Sequence, residues 1–147
     1  MRIIGMIWAL ALATPALAYQ EQTLCIGVQE AANTDDEYYA AWAPAGTWEI
    51  TAVTFAPATA VAVDTTNVNA FTVAINAGTA STSWTTIAST TTDSDISGVA
   101  YVIGTVRDLT VTKPSTISHG YQIRVENTNG GTGAAWDGTV CVVARKV

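Results

Sequence analysis

Cys25 and Cys141 are the only cysteines of the chain. Their chemistry is either a disulfide or two buried thiols serving as small core residues. An even count behind a secretory-type leader points to the bridge. Each sits in a stretch of strand character, one near the start and one near the end of the sequence. Terminal strands are often neighbours in a β-sandwich, so the pair could close a very long loop, an effect worth roughly 4 to 5 kcal/mol in the chain-entropy view.

Other residues with chemical potential are sparse. His119 is the only histidine and stands between Ser118 and Gly120, a turn position, with no G-x-S-x-G nucleophile elbow to accompany it. The runs Asp35-Asp36-Glu37 and Asp93-Ser94-Asp95 carry hard oxygen donors of the kind that hold calcium, but their spacing is not that of an EF-hand and fits ordinary turns. The loop NTNGGTGAAWDG has the glycines of a phosphate loop without the Lys-Ser/Thr that must follow them. These residues imply no catalytic set, no metal and no cofactor, so the chain reads as a non-enzyme. Trp136, in that last loop, is either folded back over the core or displayed as a contact for a sugar or protein partner. Trp84 is a second candidate sugar platform.

Composition narrows the class. Only 12% of residues are charged, against roughly 25% in ordinary soluble proteins. The formal net charge is -6, and no basic stripe exists to neutralise phosphates, which argues against nucleic acid as a partner. Residues 1–18, MRIIGMIWALALATPALA, combine Arg2, an apolar run, Pro15 and an Ala-Leu-Ala end, the grammar of a signal peptide. The run is short for a membrane span. Either the leader is cleaved near Tyr19, or it is kept as an apolar arm that must be buried in a neighbouring subunit or a lipid layer. Residues 19–147 are the length of one domain.

The elements that must position these residues are strands. Leu24, Ile26 and Val28 alternate with Cys25, Gly27 and Gln29; Glu37–Trp42 follows, then Thr47–Phe55. In Thr47–Phe55 the apolar parity changes between Ile50 and Val53, which predicts a β-bulge near Ala52. Ala56–Asn69 reads as a crossing loop, and Ala70–Asn76 as a strand with Phe71, Val73 and Ile75 inward. Trp84–Ala88 is the next strand. Val99–Val106 and Leu109–Lys113 read as one bent strand or two short ones, ended by Pro114. Tyr121, Ile123 and Val125 then alternate with Gln122, Arg124 and Glu126, and Thr139–Ala144 is an unbroken apolar run suited to a strand covered on both sides. The sum is an all-β sandwich of about eight antiparallel strands, and the long crossing loop after Phe55 favours a jelly roll.

The succession of a Pro-Ala-Gly-Thr turn into WEITAVTF, small residues into FTVAIN, then HGYQIRVE, a GGTG loop and TVCVVARK resembles small jelly-roll virion proteins of tailed bacteriophages and prophages, of the head decoration or cement type. The likeness spans about residues 40–147. It implies a structural protein on the virion surface, bound to copies of itself, such as a trimer, and to a capsid lattice. The competing expectation is a secreted or periplasmic carbohydrate-binding module using Trp136 and Trp84. A membrane enters only if the leader is retained.

Overall fold

The computed structural model describes residues 20–31, 35–77, 83–93, 96, 98–112, 115–131 and 133–147. The leader 1–18 with Tyr19, the turn glycine Gly78, Ser94 and Asp95, and the Lys113-Pro114 strand stop lie outside the described residues. Nine strands are described: β1 (Glu21–Glu30), β2 (Glu37–Ala41), β3 (Thr47–Pro57), β4 (Val68–Asn76), β5 (Thr85–Thr91), β6 (Arg107–Leu109), β7 (Thr116–Ser118), β8 (Gln122–Gly130) and β9 (Trp136–Lys146).

They form two antiparallel sheets. One runs β1-β9-β3-β6, with β7 also on β3; the other runs β2-β8-β4-β5. The pairing is nested: first with last, β2 with β8, β3 with β6 and β7, β4 with β5. A single antiparallel ribbon bent between β4 and β5 and then rolled gives this nesting, with successive pairs falling in alternate sheets. That is the jelly roll expected from the sequence, β6 and β7 together filling one strand position.

Local sequence explains the strand faces. Trp48, Ile50, Val53 and Phe55 are all buried on β3 although their parity changes, because the register against β9 shifts between Ile50 and Ala52. The expected bulge is therefore present, and the extra residue, Thr51, donates its hydroxyl to the carbonyl of Val143 (3.3 Å). Phe71, Val73, Ile75, Ile123 and Val125 point into the core as expected, while Tyr121 is only half-buried because it precedes β8 at the margin of the core. The run at the end of the chain is covered on one side only. Val140, Val142 and Ala144 are buried and Cys141 and Val143 are half-exposed, so β9 alternates despite its apolar outer residues.

The stretch expected as strand between Val99 and Lys113 is mostly not strand. Tyr101 makes an isolated bridge with Val61, the chain turns at Val102–Thr105, and only Arg107–Leu109 joins β3. Thr116–Ser118, not expected from the sequence, pairs with the other half of β3. The bulge at Thr51 lies between these two pairings, and Ile50 there donates to Ser115 in the connecting loop (2.9 Å). A bulge bends and twists its strand, so one straight edge strand does not follow both halves of β3.

At the end where β3 stops and β9 starts, the core is aromatic. Phe55 makes edge-to-face contacts with Phe71, Tyr101 and Trp136, at centroid distances of 4.8, 5.0 and 5.4 Å. Phe55 lies in the space a side chain at Gly138 would occupy, only 2.8 Å from an ideal Cβ there.

Candidate functional site

The two cysteines face each other across β1 and β9, directly opposed in register, with Cα atoms 4.0 Å apart and their sulfurs joined. The bridge lies on the outer face of its sheet, and Cys25 is exposed. It fastens the first strand to the last, closing the open end of the rolled ribbon.

Trp136 is buried at 2% exposure, and its indole nitrogen donates to Oδ1 of Asn127 (3.3 Å). Of the two sequence readings, the ring folded back over the core is the one found, and that of a displayed partner contact is corrected: β9 begins at Trp136, whose parity matches inward-facing Val140 and Val142. Placing the ring among Phe55, Phe71 and Tyr101 removes a large apolar surface from water, which outweighs any weak surface contact.

His119 is exposed on the turn before β8, where Nδ1 donates to the carbonyl of Ala43 (2.6 Å). The first acidic run serves local structure. Asp35 accepts from the amide of Asn129 (2.8 Å), and Asp36 accepts at its carbonyl from the amide of Asn127 (3.0 Å), docking the approach to β2 onto β8. Among the described residues no three His, Cys, Asp or Glu side chains converge to hold a metal. In the crossing loop, Asp64 accepts from the amides of Thr66 (2.7 Å) and Asn67 (2.9 Å). The Asn67 and Thr66 amide bonds, in that order of effect, hold its carboxyl below the usual range.

Two surfaces remain. The first is an apolar end. Ile96, Val99, Val102, Ile103 and Val106 are all exposed, with Ile103 at 60% and Val106 at 69%. Val102–Thr105 is a tight turn closed by Thr105 donating backbone N–H (3.3 Å) and hydroxyl (2.6 Å) to the carbonyl of Val102. Gly104 supplies the positive φ of 76°. Exposed turns are normally made of polar residues; this one displays valine and isoleucine. Ile96 and Val99 also wall an open groove of about 590 Å³ with Val68, Asp93 and Arg107.

The second surface is the outer face of the β2-β8-β4-β5 sheet. Tyr39 pairs with Arg124, which pairs in turn with Ala74. Trp84, just before β5, lies with its ring centroid 4.6 Å from the Arg124 guanidinium carbon and 5.8 Å from the Tyr39 ring. Glu37 and Glu126 are directly opposed, a like-charge pairing that is unfavourable alone. Arg124 offsets it by binding both, at 2.8 and 2.6 Å. Tyr39 donates its hydroxyl to Glu37, and that bond raises its pKa above the ordinary phenol value. Trp84 was expected from sequence as a surface aromatic; Tyr39 and Arg124 were not. Their outward parity was readable, but their meeting depends on the register between strands far apart in the chain.

No protein-family model, curated protein or solved structure matches this chain.

Proposed function

We propose that this chain is a non-enzymatic virion structural protein, a capsid decoration or cement subunit that binds copies of itself, for example as a trimer, and a capsid lattice at the virion surface. The observation that carries the reading is the apolar turn at Val102–Thr105, with Val99 and Val106 beside it. Contiguous exposed apolar residues at one end of a small domain mark a surface that another protein covers. A chain with so few charges also has weak protection against lateral association. The phage-type sequence pattern and the jelly roll agree with this reading, and the outward disulfide fits a bond closed in an oxidising setting, after export or on a released particle. A secreted carbohydrate-binding module built on Trp136 is disfavoured because that ring is inside.

Light scattering coupled to size exclusion, together with co-sedimentation on virus-like particles, tests the reading. The unaltered chain is expected to self-associate and to sediment with particles. Ile103→Asp combined with Val106→Asp should abolish both while leaving the melting temperature unchanged. A monomer that ignores particles would overturn the proposal.

A further inference from the structure

The outer face of the β2-β8-β4-β5 sheet combines features that nothing in an assembly role requires. In a chain with only 12% charged residues, three charges and two aromatic rings converge there. Tyr39 is 53% exposed, the one aromatic ring among the exposed large hydrophobic residues of the described chain. The Tyr39 and Trp84 rings meet at 51°, so they form an angled pair and not a closed stack. Arg124 occupies the Trp84 ring, and its register partner Ala74 is only 1% exposed, which leaves Tyr39 as the open platform. Glu37 accepts from Arg124 on one oxygen and from the Tyr39 hydroxyl on the other, and Glu126 accepts from Arg124 on one; with two lone pairs per oxygen both keep further acceptor positions, their side chains 40% and 37% exposed. The Arg124 Nε hydrogen is buried without a hydrogen-bond partner, a state that natural sites usually resolve with a ligand or a water.

We propose that this face binds a neutral hexopyranoside, with one apolar face of the sugar on Tyr39 and its hydroxyls donating to Glu37 and Glu126. A pyranose presents C–H groups on a face and hydroxyls around its edge, matching a ring flanked by carboxylates. The charge settles the class of sugar. Two carboxylates against one guanidinium leave the site net negative, which disfavours sialylated, sulfated and phosphorylated ligands. The inference does not rest on the virion reading, since none of its residues belongs to the apolar turn.

The test is a glycan array carrying neutral oligosaccharides of glucose, galactose, mannose and N-acetylglucosamine beside sialylated and sulfated ones. It is followed by titration of the best neutral sugar into isotope-labelled full chain, monitored at the Trp84 indole and Arg124 Nε–H signals. The expected result is binding to neutral glycans, with both signals shifting. Tyr39→Ala should weaken binding at least about tenfold, the loss typical of a central aromatic contact, without lowering the melting temperature. Glu126→Gln should weaken it while leaving the fold intact. No neutral glycan bound, binding confined to anionic glycans, or binding that Tyr39→Ala leaves intact would each overturn the proposal. Particle co-sedimentation, disrupted at Ile103 and Val106, reports on the virion role separately.

Discussion

Phe55→Ala removes the ring at the centre of the aromatic cluster. Phe55 is 0% exposed and touches Phe71, Tyr101 and Trp136 edge-to-face. Burying a phenylalanine contributes about 3 kcal/mol by transfer. If roughly 80 Å³ stayed empty, the cavity would add about 2 kcal/mol at ~24 cal/mol per Å³. Little collapse is expected, because the three neighbours brace one another: Trp136 stacks on Phe71 at 5.6 Å and meets Tyr101 at 5.4 Å. The loss should therefore lie near the top of the usual range, about 4 to 5 kcal/mol. For a domain of this size that corresponds to a fall in melting temperature of roughly 10 to 20 °C. Phe55→Leu keeps much of the volume and should cost about 1 to 2 kcal/mol. Guanidinium unfolding followed by tryptophan fluorescence, with the slope checked for constancy, measures both. A loss below about 1.5 kcal/mol for the alanine variant would refute the enclosed cluster, since a site that open could not be the braced interior described.

Cys25→Ala with Cys141→Ala should cost up to about 4 to 5 kcal/mol, the entropy of a closure spanning 116 residues; denaturant midpoints with and without reductant measure it, and no difference would count against a closed bridge. Gly131→Ala should be worse than Gly104→Ala. Both glycines have positive φ, but an added Cβ at Gly131 would sit 2.3 Å from the carbonyl oxygen of Thr66, whereas none of the neighbouring atoms comes within 4 Å at Gly104. Paired thermal melts decide the order, with about 1 kcal/mol expected at Gly104 and more at Gly131. The Asp64 turn should loosen in acid. Its carboxyl is held below the unfolded value of about 3.9, so its contribution is present above that pH and disappears as pH falls through the folded value. Hydrogen exchange at Thr66 and Asn67 should then speed up after correction for intrinsic rates, and unchanged protection would refute the capping role.

Much of the fold was legible because alternation survives wherever one face of a strand is wet. The parity change between Ile50 and Val53 was readable as a bulge, since an extra residue is the simplest way to keep both sets of side chains inside. Val99, Tyr101 and Ile103 follow the same alternation, yet only Tyr101 goes inward, where burial raises its phenol pKa. Ile103 falls on a turn, because β3 ends at Pro57 and no strand continues opposite it, and a local pattern carries no information about where a partner strand stops. Trp136 was misplaced for a different reason. Glycines and small residues around it look like loop, but its parity with Val140 and Val142 was a signal that extending β9 back through Gly138 would have found. The Tyr39, Trp84 and Arg124 cluster was the least legible part, because only strand register brings those residues together.

The position of the disulfide has a mechanical consequence. The amide of Lys146 donates to the carbonyl of Gln20 (2.9 Å), so both ends of the described chain leave the same end of the β1–β9 pair side by side. Tension applied between Gln20 and Val147 first unzips the short segments outside the bridge, pair by pair, then reaches the sulfurs. At about 3.4 Å per residue those segments yield roughly 40 Å of extension, whereas a chain without the bridge could unravel by roughly 400 Å. Once those segments have peeled from each other and from β3, the domain behaves as a short stiff link: the force runs through Cys25 and Cys141, and β2 to β8 bear none of it.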